Sequence, residues 1–298
     1  NDIKIIQGNN DILIPELVAN KQDNGFKISG NLITQDTNLK REQINKFIND
    51  YFAELDINEI LFSSKNYFKF ELNENFKIKN LEIKSNINLD SIKLRNSYEL
   101  KKIFPEIKKT LFFKNQKIEI KYKKDNTTIS GIGDAVLQNE IDKIQYEIYK
   151  NKDEIKFYTK LNILKNPFKI DILNFIKKKD SELELIFSGK SKIEKNLVFN
   201  EISLKEKNNF ISIKNLIFSN NNKIDDLSNI KIKYSDKDNF KNSLEFKKKN
   251  SNYLVSGSNF NIKNIIDKLL NTENKKKLNI FNKNFKVFFD VKNVYLNK

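Results

Sequence analysis

The stretch that decides the fold is residues 252–270, which read NYLVSGSNFNIKNIIDKLL. It begins with the two-residue alternation of a β-strand around Tyr253 and Val255, and Gly257 interrupts that alternation. It ends with isoleucines and leucines at the spacing of one helical face, from Ile262 to Leu270. The stretch therefore predicts a strand, a Ser-Gly step and a short amphipathic helix.

A second copy of this pattern begins with residues 26–30, FKISG, which predict a strand ending in a Ser-Gly step. The helix predicted after it has an apolar face made of Ile44, Phe47, Ile48, Tyr51 and Phe52. Because each copy leads into further strands, we interpret the chain between them as one repeat unit. The predicted boundaries are 1–54 for the end of one unit, 55–270 for a full unit and 271–298 for the start of the next.

The composition excludes several kinds of chemistry. The chain has 55 Lys+Arg against 39 Asp+Glu, a net charge of +16, and no His, Cys, Met or Trp. Without His and Cys the usual nucleophile–base pairs and thiolate metal sites cannot form, so we expect no enzyme activity, no metal and no cofactor. An AT-rich coding sequence would favour Lys, Asn, Ile and Phe, so we attribute part of the charge to mutational bias.

The lack of methionine predicts that the chain is a piece of a longer protein. No run of residues approaches the roughly 18 to 20 apolar residues that a membrane-spanning helix needs. Any membrane anchor is therefore expected in a segment outside this sequence.

Two-residue alternation dominates residues 55–94 and 117–253. Ile118 and Ile120, for example, alternate with charged residues, which is typical of antiparallel strands with one apolar face. Between these regions the spacing changes and predicts a helix over residues 97–113, which Pro105 should kink. The apolar face of that helix would consist of Leu100, Ile103, Phe104, Ile107 and Leu111.

Polar turns recur along the second β region. They are centred on residues 124, 151, 178, 207 and 237, so the steps are 27, 27, 29 and 30 residues. Such a period indicates a repeated supersecondary unit, here one up strand and one down strand. Alternate turns of a meander lie on the same edge, so we predict that these five turns share one rim and that their lysines form a positive line.

A sheet of this length must cover its apolar face, and about three short helices are too few for that. The sheet could close on itself, pack as a sandwich, or curl into an open groove that holds another molecule's apolar surface. The predicted fold class is mainly β with a few short helices, in which a long, twisted antiparallel sheet curls into an open groove. The candidate groove-lining residues are Ile118, Ile120, Tyr122, Ile144, Tyr146, Ile155, Phe157, Leu185 and Phe187, and a packed core is the competing interpretation for each.

Three segments carry a resemblance to a known family. They are LVSGSNFNIKNIIDKLL, PFKIDILNFIKKKDSELELIFSG and ISLKEKNNFISIKNLIFS. Together with the long run of amphipathic strands, they resemble the AsmA-like envelope proteins of the repeating β-groove group. The resemblance covers most of the chain but includes no catalytic signature.

The resemblance implies a non-enzymatic module that binds phospholipid acyl chains and carries them between the inner and outer membranes, in outer-membrane biogenesis. It implies a periplasmic protein, tethered to the inner membrane by a segment outside this chain, with other envelope proteins as further partners. The alternative is a structural β-sandwich that supports envelope assembly through protein contacts.

Two other features suggest ligands but have simpler interpretations. Lysine runs at residues 177–179, 247–249 and 275–277 suggest nucleic-acid binding, yet only Arg41 and Arg95 supply the guanidinium fork that such proteins rely on. We interpret the runs as solvated turns and a helix end, with attraction to anionic lipid headgroups as the second interpretation, and expect no nucleic-acid partner. The glycines of SGIGDA at 130–135 are not followed by a helix and predict a bulge or a close approach of strands.

Overall fold

A computed structural model describes residues 3–7, 10–44, 57–96, 100–192, 196–219, 223–270, 281–282 and 284–296. The fold is 72% strand and 6% helix. This confirms the predicted fold class, mainly β with a curled sheet that stays open. Among the described residues, no helix has the length and apolar character needed to cross a membrane.

Contacts divide the chain into two compact units. Unit 1 contains Asn1–Tyr98 and Lys108–Asp153, and unit 2 contains Glu99–Ile107 and Glu154–Lys298. The repeat boundaries near residues 54 and 270 stay predictions, because residues 45–56 and 271–280 lie outside the described part of the chain.

The strands of unit 1 pair in chain order as an antiparallel meander. They are β1 (Ile3–Gln7), β2 (Asn10–Gln22), β3 (Gly25–Lys40), β4 (Ile57–Asn73), β5 (Ile78–Arg95), β6 (Thr110–Lys123), β7 (Asn126–Val136) and β8 (Asp142–Lys150). Strand β2 continues through Pro15. Pro15 lies where the β2–β3 register shifts between Leu13 and Glu16, at a bulge where its missing N–H costs no ladder hydrogen bond.

The strands of unit 2 are also mostly antiparallel. They are β9 (Glu154–Ile163), β10 (Lys169–Ile170), β11 (Phe175–Ile176), β12 (Leu183–Lys192), β13 (Leu197–Glu206), β14 (Asn209–Phe218), β15 (Ile224–Asp226), β16 (Asn229–Ser235), β17 (Lys241–Lys249), β18 (Asn252–Asn261) and β19 (Val287–Tyr295). The main sheet of this unit runs β9-β12-β13-β14-β16-β17-β18-β19, β15 also pairs with β14, and β10 and β11 form a separate hairpin. Only the β18–β19 pair is parallel among these, and helix α1 (Lys263–Leu270) lies in the connection between its two strands.

The stretch at 252–270 folds largely as predicted, as strand β18 followed by helix α1. Gly257 does not end the strand, since a register shift in β17 between Ser243 and Leu244 accommodates it. The first copy differs more. Strand β3 continues ten residues past Gly30 to Lys40, and helical residues begin at 41, where Ile44 is buried. The remaining members of that predicted helical face lie outside the described residues.

The helix predicted over residues 97–113 is wrong in the part that the structure describes. Residues Leu100–Lys102 form one 3-10 turn, after which the Phe104 N–H donates to the Leu100 carbonyl at 2.8 Å. Pro105 has no N–H and disfavours helical geometry at the residue before it, so the turn does not propagate. From Thr110 the chain is already in β6, paired with β5.

Unit 2 contains a small packed subdomain, which we call the cap and define as residues 100–107 and 164–182. Its two parts are joined by a hydrogen bond from the Lys169 N–H to the Ile103 carbonyl at 3.0 Å. The ring of Phe104 meets Phe168 edge-on with centroids 5.5 Å apart, and Phe168 in turn meets Phe175 at 6.5 Å. The cap is therefore an aromatic cluster and not a simple turn, which the sequence pattern did not predict.

The polar turns lie on a common edge within each unit. In unit 2, Glu206 accepts a hydrogen bond from the Lys178 N–H at 2.7 Å, and the Lys237 N–H donates to the Asn174 carbonyl at 2.9 Å. In unit 1 the turn at 124 and the end of β8 meet through the Lys152–Asp125 ion pair at 3.1 Å. The positive line stays a prediction for unit 2, where Lys178, Lys207 and Lys237 are exposed at these turns and Glu206 is buried beside them.

Candidate functional site

The register of unit 2 builds two uninterrupted rows of apolar side chains across the strands. Antiparallel partners project to the same face of a sheet, so each row is continuous on one face. The first row is Phe187, Ile202, Ile213, Ile230, Phe246 and Val255, and the second is Leu161, Leu185, Leu204, Ile211, Ile232 and Leu244. Each row crosses six strands, a distance of about 24 Å at the usual strand spacing. We call this side of the sheet the apolar face of unit 2.

The two rows differ in how far protein covers them. Leu204 and Ile211 in the second row are buried, as is the candidate Leu185 at 6% exposure. In the first row the candidate Phe187 and its neighbours Ile202 and Ile213 are only half-buried. The apolar face of unit 2 is therefore partly covered and partly open.

Coverage at one end of this face comes from the cap. Phe175 is fully buried against Tyr234 of β16, with ring centroids 6.0 Å apart, and the Tyr234 hydroxyl donates to the Leu173 carbonyl at 2.7 Å. Burial raises the pKa of Tyr234, and the nearby Asp236 carboxylate adds to this effect. The side chain of Asn264 in α1 donates to the Asp171 carbonyl, which ties the helix to the same end.

A second aromatic cluster packs the opposite end of the face. Tyr253 stacks on Phe246 at 4.6 Å and meets Phe285 edge-on at 4.8 Å. Phe199 joins this region through Phe218, with centroids 6.0 Å apart. Loop and strand residues therefore supply packed clusters at both ends of the apolar face of unit 2.

The candidates of unit 1 also share one face. Ile118 of β6 pairs with Gly131 of β7, and Gly131 pairs with Tyr146 of β8, so these three residues form one row. Ile120 lies two residues after Ile118 and projects to the same side. Tyr122 and Ile144 project to this side as well. All five are half-buried, although residues 41–44 are the only described helix of unit 1. We call this side the apolar face of unit 1.

The remaining candidates, Ile155 and Phe157, lie on β9 in unit 2 and are half-buried. Phe157 meets Phe199 edge-on at 5.6 Å, across strand β12. Gly189 of β12 pairs with both of them and leaves room for this contact. All nine candidates thus belong to an apolar face, five in unit 1 and four in unit 2.

Three Ser-Gly steps place a glycine under an aromatic ring of the neighbouring strand. A Cβ atom at Gly131 would lie 2.3 Å from the Tyr146 ring, and one at Gly189 would lie 2.7 Å from the Phe157 ring. Gly30 has the same relation to Phe68, at 2.9 Å. This confirms the prediction of a close approach at SGIGDA, and it explains why glycine recurs inside these strands. The ring that each glycine meets is set by the pairing register, which the sequence pattern does not specify.

The Tyr146 ring is half-buried on this face. Burial raises the pKa of its hydroxyl to about 12 from an ordinary value of 10.0. A phenol that resists ionisation is consistent with an apolar surrounding, as expected for this face.

A patch of small polar residues interrupts the apolar face of unit 1 on β3 to β5. The hydroxyls of Thr34 and Ser64 are 2.8 Å apart, and the Asn66 amide donates to Ser64 at 2.8 Å. Ser85 extends the patch onto β5. Sequence alternation did not predict it, because the neighbours Phe62, Phe68 and Ile87 keep the pattern apolar.

Unit 1 has a depression of about 520 Å³ that includes Ile118 and Tyr146 in its lining. Most of its other lining residues are polar or charged, among them Asn86, Lys117 and Gln145. These polar residues alternate with Ile118 and Tyr146 along their strands and project to the other side of the sheet, so this depression is not part of the apolar face of unit 1.

The lysine runs occupy three different environments. Lys177 is not solvated as predicted but is 6% exposed, with its ammonium donating to the Leu164 carbonyl at 2.5 Å. Lys247 and Lys248 pair with Glu245 at 2.8 Å and Asp226 at 2.5 Å. Residues 275–277 lie outside the described residues. Within the described part of the chain, no group of three or more acidic side chains is placed to hold a metal ion.

Comparisons with known protein-family models, with curated proteins and with solved structures found no match to this chain. The resemblance to AsmA-like proteins therefore stays a prediction based on the quoted segments.

Proposed function

We propose that this chain is a non-enzymatic lipid-binding and transfer module, whose apolar faces shelter phospholipid acyl chains between the inner and outer membranes of the cell envelope. The observation that supports this proposal is the half-buried state of Ile120, Tyr146 and Phe187 on the two apolar faces. Ile118 is half-buried as well and packs against the cluster of Ile44, Ile57, Ile60 and Leu89. Each CH₂ group removed from water contributes about 0.8 kcal/mol, so acyl chains are suited to complete such a surface.

The proposal includes the cellular setting. The protein acts in the periplasm and reaches the inner membrane through a segment outside this sequence. Support for this part comes from the resemblance of the quoted segments to AsmA-like proteins and not from the fold.

A structural scaffold is the second candidate, and the packed ends of unit 2 favour it there. The cap and the cluster around Tyr253 cover apolar surface with the protein's own rings. A scaffold would bind other envelope proteins and would have no affinity for acyl chains.

Photocrosslinking at neighbouring positions distinguishes the two candidates. We expect a photoreactive residue at Ile120 or Phe187 to crosslink phospholipid in protein purified away from membranes. Lys121 and Ser188 follow them on the same strands and project to the opposite face, so they serve as matched controls and should give little crosslinking. Equal yields at Ile120 and Lys121, or no lipid product at either apolar position, would favour the scaffold.

A further inference from the structure

The net charge is distributed unequally between the two units. Unit 1 has 23 basic and 21 acidic residues, a net charge of +2, whereas unit 2 has 32 basic and 18 acidic residues, a net charge of +14. A biased coding sequence would act on both units alike. Mutational bias therefore explains the abundance of lysine but not its excess over acidic residues in one unit.

Much of this excess lies on the side of the unit 2 sheet opposite its apolar face. Lys205 pairs with Phe210, which pairs with Lys233, so both lysines project to that side. One row along, Ser212 pairs with Lys231, and in the next row Lys214 pairs with Glu201. We call the four residues Lys205, Lys214, Lys231 and Lys233 the lysine field.

The lysine field is compact and open to solvent. Its members lie on β13, β14 and β16, which spans about 10 Å at the usual strand spacing. All four side chains are exposed, whereas Ser203 and Ser212 between them are buried. Lysine stems covering small residues, with their ammonium groups in water, are the usual form of a basic surface.

Among the described residues, few acidic side chains lie in the rows of the field. Glu245 interacts with Lys231 at 3.3 Å but is shared with Lys247 at 2.8 Å. Glu201 and Glu184 are the other carboxylates in these rows, and Glu184 lies opposite Lys205 but pairs with Lys160 at 2.5 Å. Seven lysines, counting Lys241, Lys247 and Lys249 on β17, share this side of β13, β14, β16 and β17 with Glu201 and Glu245.

An exposed aromatic residue continues the same surface. Lys247 pairs with Leu254, and Leu254 pairs with Phe288 of β19, so Phe288 projects to the side of the lysine field. Phe288 is 54% exposed. Lysines beside an exposed aromatic ring match the interfacial region of a bilayer, where anionic headgroups border apolar chains.

We propose that the lysine field of unit 2, with Phe288 at its margin, docks the protein onto an anionic phospholipid bilayer. Nucleic acid is the less suitable anion, because its readers rely on the bidentate fork of arginine and this surface has only lysine. The docking surface is on the opposite side of the sheet from the apolar face, so it does not depend on the proposed lipid groove.

Vesicle co-sedimentation with the full chain tests this inference. We expect binding to phosphatidylglycerol vesicles but not to phosphatidylcholine vesicles, and we expect added salt to weaken it. Each lysine near a charged surface contributes about 1 kcal/mol, or about five-fold in affinity. Replacing all four lysines of the field with Gln should therefore weaken binding on the order of 100-fold or more.

The matched control is a unit 1 variant in which Lys65, Lys77, Lys84 and Lys117 are changed to Gln, which removes the same charge from exposed positions. It should bind phosphatidylglycerol vesicles nearly as well as the unchanged protein. The inference is overturned if this control loses as much binding as the lysine-field variant, or if that variant loses none. Equal binding to both vesicle types, or displacement from vesicles by a single-stranded oligonucleotide, would also overturn it.

Uptake of a fluorescent fatty acid separates this inference from the proposed function. The lysine-field variant should take up the probe as well as the unchanged protein. If the unchanged protein binds vesicles but takes up no fatty acid, the proposed lipid-binding function is wrong and the docking inference is retained.

Discussion

Phe175→Ala is expected to lower the free energy of unfolding of unit 2 by about 3 to 5 kcal/mol. The Phe175 ring is fully buried between Phe168 and Tyr234. Its removal takes away the central ring of the cap and leaves a cavity that the surrounding strands cannot fill. The cap would then no longer cover its end of the apolar face, so we also expect increased binding of a hydrophobic dye.

Urea denaturation followed by tyrosine fluorescence measures this effect, since the chain has 10 Tyr and no Trp. Phe76→Ala is the matched control, because Phe76 is 77% exposed in a turn of unit 1. That change should alter stability by about 0.5 kcal/mol or less. Similar losses for the two variants would mean that the cap is not a packed core.

Ile120→Asp is expected to remove most of the lipid that binds to the apolar face of unit 1. Ile120 lies between Ser85 of β5 and Ile129 of β7, so a carboxylate there would place a charge on the apolar face of unit 1. An unpaired charge against acyl chains is strongly unfavourable because nothing replaces its hydration. Phe157→Asp should have the same effect in unit 2, where Phe157 contacts Phe199.

Quantifying co-purified phospholipid by mass spectrometry measures the loss. Lys117→Asp is a suitable control, since it places the same carboxylate on the same strand but on the polar side of the sheet. This control should keep its lipid. If Ile120→Asp stays folded by circular dichroism and carries as much lipid as the unchanged protein, acyl chains do not lie on this face.

Alternation of apolar and charged residues was sufficient to predict most strands. Successive side chains of a strand project to opposite faces, so Ile118 and Ile120 lie on one face and Lys117 and Lys121 on the other. The turns at 124, 207 and 237 were predictable because polar residues end the alternation there.

The sequence pattern did not predict which residues pair across neighbouring strands, and much of the candidate site depends on that register. The contact between Phe157 and Phe199 requires Gly189 to lie between them, next to a register shift in β12. The lysine field has the same origin, because Lys205 and Lys214 lie apart in sequence from Lys231 and Lys233 and meet them only through strand pairing. The lysine run at 177–179 is more conspicuous in the sequence, but it does not form such a surface, because Lys177 is buried.

Two local expectations failed for identifiable reasons. Residues 97–113 have apolar residues at helical spacing, yet Pro105 ends the helical turn. From Thr110 onwards the chain pairs with β5 as strand β6. Residues 164–182 are polar enough to predict a turn. The pattern therefore did not predict that Phe168 and Phe175 pack together in the cap. Tertiary packing overrode the local pattern in both segments.

The most direct measurement of the central claim is native mass spectrometry of the full chain, purified without detergent. The claim is that half-buried apolar faces, such as the one that contains Ile120 and Tyr146, are completed by a guest with acyl chains. The expected spectrum shows folded protein carrying phospholipid, with lipid-free protein appearing only after extraction. A folded, monodisperse protein that never carries lipid and does not take up added fatty acid would contradict the claim.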